Sequence, residues 1–333
     1  MSRIQFIHTY QYIISAENLL EAWKEFICGK RSRRDVQEFE LDLMSNVLSL
    51  HHDLKTKQYH HSAYEAFNIS DPKPRNIHKA SVRDRLLHHA LYRVMYPFFD
   101  RTFISDSYSC RIGKGTHKAI QRFQRFAYQA SSNHTRTVWV LKCDIRKFFA
   151  NIDHGVLLAI LKQYIPNQDT LWLLENIISS FQTAPGKGLP LGNLTSQLFV
   201  NVYMNEFDQF VKQELKLQWY VRYADDFVFF SADRNWLVSL IPQIQQYLMK
   251  KLCLTLHPKK VSNQTLASGI DFLGWVHFPT HRVLRTATKR RMKRRVTEHP
   301  TNETVQSYLG MLQHGDADTL QRGLISTYLS SLS

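Results

Sequence analysis

Asp225 and Asp226 lie side by side in Trp219-Tyr-Val-Arg-Tyr-Ala-Asp-Asp-Phe-Val-Phe-Phe230, between two segments rich in strand-forming residues. Such a run reads as a hairpin with the acids at its tip. Adjacent carboxylates repel one another unless a cation neutralises them, and hard oxygen donors suit a divalent one. For the dipeptide alone a solvated turn is the alternative, since Asp is a common turn residue. Asp144 supplies a third acid, at the end of the strand-like run Thr137-Val-Trp-Val-Leu-Lys-Cys143. Strand-end acids far apart in sequence can converge at one sheet edge and hold a pair of metal ions for in-line phosphoryl transfer. The chemistry implied is nucleotidyl transfer.

Several elements must position these acids. Residues 16–54 read as helical, with Leu19, Leu20, Trp23 and Phe26 as an apolar stripe and a basic break at Gly29-Lys-Arg-Ser-Arg-Arg34. That break is either a solvated turn or a contact for RNA phosphates. Asp71-Pro-Lys-Pro-Arg75 is expected to be extended, because each proline disfavours helix at the residue before it. Helical periodicity resumes over 82–95, a Gly-rich loop covers 106–115, and a helix follows over 117–128. One helix is expected over 156–181 and another over 196–215, the latter with Asn201, Asn205 and Asp208 on one face.

The chain has 333 residues, is 44% hydrophobic and carries a formal charge of +15. That length can bury a sizeable core, and the charge calls for a polyanionic partner. Nucleic acid is favoured over a membrane surface, because no apolar run approaches the length of a spanning helix. Four widely separated cysteines, with no Cys-x-x-Cys pair, indicate neither a zinc site nor a disulfide framework. The amino end lacks a secretory pattern, so a cytoplasmic location is expected. His51-His52, His60-His61 and His88-His89 are doublets, and neighbours on a helix do not share a face. Arg282-Val-Leu-Arg-Thr-Ala-Thr-Lys-Arg-Arg-Met-Lys-Arg-Arg295 holds eight Lys or Arg and no acid. It reads as a surface that grips a duplex through its phosphates, with a solvated face as the alternative.

In order, the chain contains Pro72-Lys-Pro-Arg75 with Arg83-Asp-Arg85, Ser107-Tyr-Ser-Cys-Arg-Ile-Gly-Lys-Gly115, the Asp144 block and Gly188-Leu-Pro-Leu-Gly-Asn-Leu-Thr-Ser-Gln197. Tyr223-Ala-Asp-Asp226, Leu256-His-Pro-Lys-Lys260 and Phe272-Leu-Gly274 follow. This ordered set resembles the reverse transcriptases. Leu191-Gly-x-x-x-Ser196-Gln197 resembles the variant in the reverse transcriptases of diversity-generating retroelements, where most retroviral and group II intron enzymes have Gln-Gly-x-x-x-Ser-Pro. Defence-associated and group II-like bacterial reverse transcriptases carry related segments.

The resemblance implies an α+β right-hand polymerase. Residues 1–135 would form fingers and the start of the palm, 136–280 the palm, and 281–333 a short basic thumb. Only 59 residues follow Gly274, so a nuclease domain in this chain is not expected. By resemblance, Asp144, Asp225 and Asp226 are the catalytic acids. They would hold two Mg²⁺ ions, replaceable by Mn²⁺, with the carbonyl of Ile145 as a further ligand.

Phe149, five residues after Asp144, would be the steric gate against a ribose 2′-hydroxyl, although one of Phe148 and Phe149 must fill core. Lys73 and Arg75 would meet the triphosphate of an incoming dNTP, or the RNA backbone instead. Leu191 and Gln197 would lie beside the nascent pair, and Lys260 would donate a proton to pyrophosphate, with Lys259 as its competitor. Arg111 would order template or fingers. Phe272, Leu273 and Gly274 would grip the primer, and Lys289, Arg290, Lys293 and Arg294 would hold the RNA-DNA duplex. The branch resemblance further implies error-prone cDNA copied from a template RNA, mutagenic at adenines, and a small basic accessory protein oligomer as partner. The reading from another class is a polymerase-derived RNA-binding protein without catalysis, against which three retained, mutually repelling acids argue.

Overall fold

A serine accepting a hydrogen bond from a backbone N–H three residues on starts two of the helices that frame the amino-terminal half. The computed structural model describes residues 4–70 and 73–330. Ser15 caps α2 (Ala16–Phe26), which follows the short α1 (Tyr10–Ile14). The chain turns at the expected basic break, where Gly29 adopts φ +68°, into α3 (Arg34–Leu41) and α4 (Leu43–Lys55). An antiparallel hairpin of β1 (Glu65–Ile69) and β2 (Arg75–Lys79) comes next, with Glu65 opposite Lys79. Asp71 and Pro72 of the segment expected to be extended lie outside the described residues, and of the rest Arg75 begins β2. Ser81 then caps α5 (Val82–Asp100), against which α2 packs its Leu19, Trp23 and Phe26 stripe.

After the loop at 106–115 come α6 (Thr116–Ala130) and β3 (Trp139–Asp144). A tight 3-10 turn at Phe148–Asn151 leads to α7 (His154–Lys162) and α8 (Gln168–Ser179). The single helix expected over 156–181 is thus two. Pro166 has no N–H to give a continuing helix, and Asn167 accepts from Thr170 N at 2.8 Å to start the second. α9 (Leu194–Gln209) begins two residues before the expected start and ends in a π-helical turn, Phe210–Glu214.

β4 (Tyr220–Tyr223) and β5 (Asp226–Ser231) form a hairpin, followed by α10 (Arg234–Leu252) and β6 (Ser262–Thr265). These strands and β3 make an antiparallel sheet in the order β4-β5-β3-β6. Alternation sends Leu141, Cys143, Phe227 and Phe229 to one face, into a core shared with Phe199 and Phe207 of α9 and Leu240 and Ile244 of α10. Val140, Val228 and Phe230 go to the other face, against Phe123 and Phe126 of α6. Burying each of these Val, Leu, Ile and Phe side chains contributes about 1.5–3 kcal/mol.

A three-stranded sheet of β7 (Ile270–Phe272), β8 (Trp275–His277) and β9 (Arg282–Leu284) precedes α11 (Thr286–Glu298), α12 (Asn302–Leu312) and α13 (Asp318–Ser330). Trp275 and Leu284 pack with Met292, Val296, Val305, Leu312 and Leu324 in a separate small core. The interleaved helices and antiparallel sheets give the α+β class expected.

Candidate functional site

The β4–β5 hairpin closes with Tyr223 opposite Asp226, leaving Ala224 and Asp225 as its turn. Ala224 sits in the left-handed region at φ 54°, which costs an L-residue about 1–2 kcal/mol. Two hydrogen bonds hold the turn. Ile145, buried just past β3, donates its N–H to the Asp225 carbonyl at 3.2 Å. Arg222 donates from Nη1 to the Ala224 carbonyl at 3.1 Å. The rest of that guanidinium is paired internally: Nε and Nη2 donate to the two oxygens of Asp208 at 2.8 and 2.7 Å. Tyr220 Oη adds a bond to Asp208 Oδ1 at 2.8 Å.

Arg222 and Asp208 are 1% and 0% exposed, so each charge depends on the other for its burial. The α9 face expected to carry Asn201, Asn205 and Asp208 is buried throughout, and Asn201 Nδ2 donates to the Ser109 carbonyl at 2.9 Å.

Asp144, the last residue of β3, stands opposite Asp226, the first of β5, so both carboxylates share one sheet face. Asp225 follows from the turn. Burial first, then the charges of Asp226 and Asp144, push the Asp225 carboxyl up to about 6. Burial and Asp144 also raise Asp226, against the pull of Lys142, Lys260 and Lys73. Lys260 Nζ donates to Asp144 Oδ2 at 2.8 Å, and that bond raises the lysine's own pKa.

Of the three acids only Asp144 has a direct cationic partner, Lys260, and every donor is a carboxylate oxygen. That chemistry fits a hard divalent cation such as Mg²⁺, which commonly takes only one or two carboxylates from a protein. Among the described residues no three of His, Cys, Asp and Glu, these acids included, stand so that they alone could hold a metal ion.

A cavity of about 810 Å³ opens beside Asp225 and Asp226. Arg75, Phe149, Leu191, Gln197 and Leu273 all line it, so the fold brings together expected site residues spread over about 200 positions. Phe148 is buried at 3% exposure, whereas Phe149 is half-buried and meets it edge to face. The Leu191 loop is stitched to β2: His78 N donates to the Leu191 carbonyl at 3.1 Å, and Asn193 Nδ2 to the His78 carbonyl at 2.9 Å. Gly192 between them has φ +102°, and a Cβ there would meet Ile77 at 2.9 Å. Lys73 is exposed near the hairpin.

Other expected residues lie elsewhere. Arg111 is enclosed, with its guanidinium donating to Asp100 at 2.7 Å, to the Ile104 carbonyl, to Ser107 Oγ and to the Ser107 and Asp100 carbonyls. It braces the loop at 106–115 from within. Phe272 is wholly buried and stacks on Phe123, leaving Leu273 and Gly274 as the β7–β8 turn at φ 52° and 89°. Lys289, Arg290, Lys293 and Arg294 lie on α11, where Met292 and Val296 face the small core; Lys289 is half-buried and the other three are exposed.

Sequence reasoning missed Arg222 and Lys142. A cation inside an otherwise apolar strand was the available signal, since such a residue needs a partner.

The family model described as Reverse transcriptase (RNA-dependent DNA polymerase) matches residues 69–277. The chain is similar to Protein YkfC of Escherichia coli (strain K12), at 25% identity over 258 residues that cover 66% of each chain. It is also similar to Group II intron-encoded protein LtrA of Lactococcus lactis subsp. cremoris, at 21% identity, covering 62% of this chain and 36% of that one. Among solved structures, telomerase from Candida albicans in complex with a TWJ fragment of telomeric RNA aligns with a TM-score of 0.51 and 10% identity. That alignment covers 83% of this chain and 57% of the other, and at this identity the likeness is one of fold.

Proposed function

The chain belongs to the reverse transcriptase family and has the right-hand polymerase fold, and from that premise we propose that it is an RNA-directed DNA polymerase. The observation that carries this reading is the meeting of Asp144, Asp225 and Asp226 at one sheet end beside the 810 Å³ cavity. In this reading residues 1–135 are fingers and the start of the palm, 136–280 the palm and 281–333 the thumb.

Asp144, Asp225 and Asp226, with the Ile145 carbonyl, hold the divalent ions, expected to be Mg²⁺ with Mn²⁺ as a substitute. When bound, the ions lower the pKa of the primer 3′-hydroxyl and neutralise charge on the leaving pyrophosphate. Lys73 and Arg75 bind the dNTP triphosphate from the β1–β2 hairpin. Phe149 crowds a 2′-hydroxyl, and Lys260, held at Asp144 before substrate enters, delivers a proton to pyrophosphate. The Leu273 and Gly274 turn supports the primer, while α11 grips the RNA-DNA duplex through Lys289, Arg290, Lys293 and Arg294. Arg111 acts by ordering the loop rather than by touching template.

The finer reading is low-fidelity cDNA synthesis on a retroelement template RNA, as in diversity-generating retroelements, with a small basic accessory protein as partner and a cytoplasmic location. Leu191 supports it, since a cavity wall that is apolar at this point offers the nascent pair no hydrogen bond. The similarity to an intron-encoded protein favours a second reading, a group II-like enzyme with another product. No helix among the described residues is long and apolar enough to cross a membrane.

The test is extension of a DNA primer on an RNA template with dNTPs and Mg²⁺. Asp225→Asn should abolish extension and leave RNA binding intact. Full extension by that variant, free of other polymerases, would overturn the assignment. Inactivity of the wild type with intact RNA binding would favour the non-catalytic alternative.

A further inference from the structure

Between Asp106 and Asp144 the chain runs for 37 residues without a single acid, and seven of them are Lys or Arg. Much of this stretch is α6, whose Ala119, Phe123, Phe126 and Ala127 are buried. The face turned outward carries Lys118, Gln121 and Arg125, all exposed, with half-buried Arg122 beside them. Lys118, Arg122 and Arg125 recur at helical spacing, so the row extends about 10 Å along the axis. A strand of nucleic acid presents a charge every few ångström, and such a row can meet more than one.

These residues line a groove of about 290 Å³ together with Tyr108, Gly113 and Lys114. No residue of this groove lines the catalytic cavity. Arg122 is held in place by Asp106 at 2.7 Å, an acid that also takes Lys212 at 3.3 Å, and its guanidinium lies over the Phe126 ring. Lys114 packs over Tyr108, and its pKa is lowered by burial and then by Arg111. Among the described residues no ion pair engages Lys114, Lys118 or Arg125 with an acid. Around the paired Arg122, the groove thus holds three cations, Lys114, Lys118 and Arg125, that no acid among the described residues pairs with.

We propose that this groove on α6 is a second RNA-binding surface, separate from the catalytic cavity, which takes the phosphate backbone of a folded part of the RNA. Its concave form, its Tyr108 and Gln121 side chains among the cations, and the protein's overall charge suit a phosphodiester chain, whose recognition in folded RNA is largely by backbone and shape. The role given to the RNA, as template held outside the cavity, rests on the polymerase reading. The binding itself does not.

The experiment uses the full chain and two probes. The first is an RNA hairpin lacking any primer, whose affinity is measured across salt concentrations. Lys118→Glu with Arg125→Glu should weaken hairpin binding at least tenfold at low salt and flatten the log-affinity slope by roughly 1–2 units, since each lost phosphate contact removes about 0.9. Lys118→Gln with Arg125→Gln should give an intermediate loss with unchanged thermal unfolding, which separates charge from folding. The second probe is oligo(dT) on poly(rA), and at saturation its extension rate should equal that of the wild type. Unchanged hairpin affinity and slope would overturn the proposal, as would a parallel loss of saturated extension, which would place these residues in the polymerising site. Failure of the wild type to extend poly(rA) would instead count against the polymerase reading while leaving the hairpin result standing.

Discussion

Arg222 and Asp208 bind each other through two hydrogen bonds of 2.8 and 2.7 Å, and the same guanidinium holds the carbonyl of the residue preceding Asp225. A buried ion pair is therefore the mechanical footing of the acid turn. Losing one partner of such a pair typically costs about 3–5 kcal/mol, because the survivor is left charged and unsolvated. Asp208→Ala should lower unfolding free energy in urea by that amount. Arg222→Lys keeps the charge but loses the fork. Its extension rate should fall more than its RNA affinity, and equal losses in both would mean the pair serves stability alone.

Asp225 adds a pH dependence of definite sign. In the metal-free fold its carboxyl titrates near 6, above an ordinary carboxylate, because of burial and then Asp226 and Asp144. The folded state thus keeps a proton that the unfolded chain has released. The stabilisation is complete below about pH 4 and is lost as pH rises through about 6, a difference of up to about 3 kcal/mol. Thermal melts of metal-free protein should show this decline, and Mg²⁺ should restore stability above pH 6 but not at pH 4. Asp225→Asn should make the decline shallower, the remainder belonging to Asp226, whose carboxyl burial also raises. A wild-type profile level from pH 4 to 7 would contradict it.

Phe149→Ala should raise ribonucleotide incorporation relative to deoxyribonucleotide, since the proposed gate works by contact with the 2′-hydroxyl. Competition between paired rNTP and dNTP measures the ratio. Phe148→Ala is the contrasting variant: it empties a core position and should cost about 3–5 kcal/mol of stability. An unchanged ratio in folded Phe149→Ala would move the gate elsewhere.

Leu191→Gln introduces a hydrogen-bonding side chain into the cavity wall and should lower misincorporation, and under the proposed low-fidelity reading most visibly opposite template adenine. About 1.4 kcal/mol of differential transition-state stabilisation is a tenfold change in selectivity, and one well-placed hydrogen bond approaches it. Leu191→Ile keeps the wall apolar and serves as control. Sequencing cDNA from the three forms on one template decides the matter, and equal adenine error rates would remove position 191 from the fidelity mechanism.

The strand-end placement of the acids was legible in the sequence because its signal is local: strand-formers on both sides of Asp225 and Asp226, and a strand-like run ending at Asp144. So was the shared face of Asn201, Asn205 and Asp208 on α9, whose spacing is written in the chain, although its burial was not. Pro166 was equally visible, and the expected continuous helix gave periodicity more weight than a missing N–H warrants. Arg111 and Arg222 were not legible in the same way. Whether an arginine faces solvent or is enclosed depends on partners such as Asp100 and Asp208, which only the tertiary fold brings into reach. The apolar residues of α6 mark its buried face, but its groove also needs Tyr108 and Gly113 from the preceding loop.

The pairing of Asp144 with Asp226 across β3 and β5 also has a diagnostic use. Side chains alternate along a strand, so inserting or deleting one residue between β3's fixed start and Asp144 would turn that acid to the opposite face while leaving its neighbouring letters readable. For anyone sorting intact from decayed copies of such a gene, a one-residue gap within 139–144 is thus a stronger mark of a broken acid cluster than most substitutions there. Intact spelling of the acids is not, by itself, evidence of a working copy.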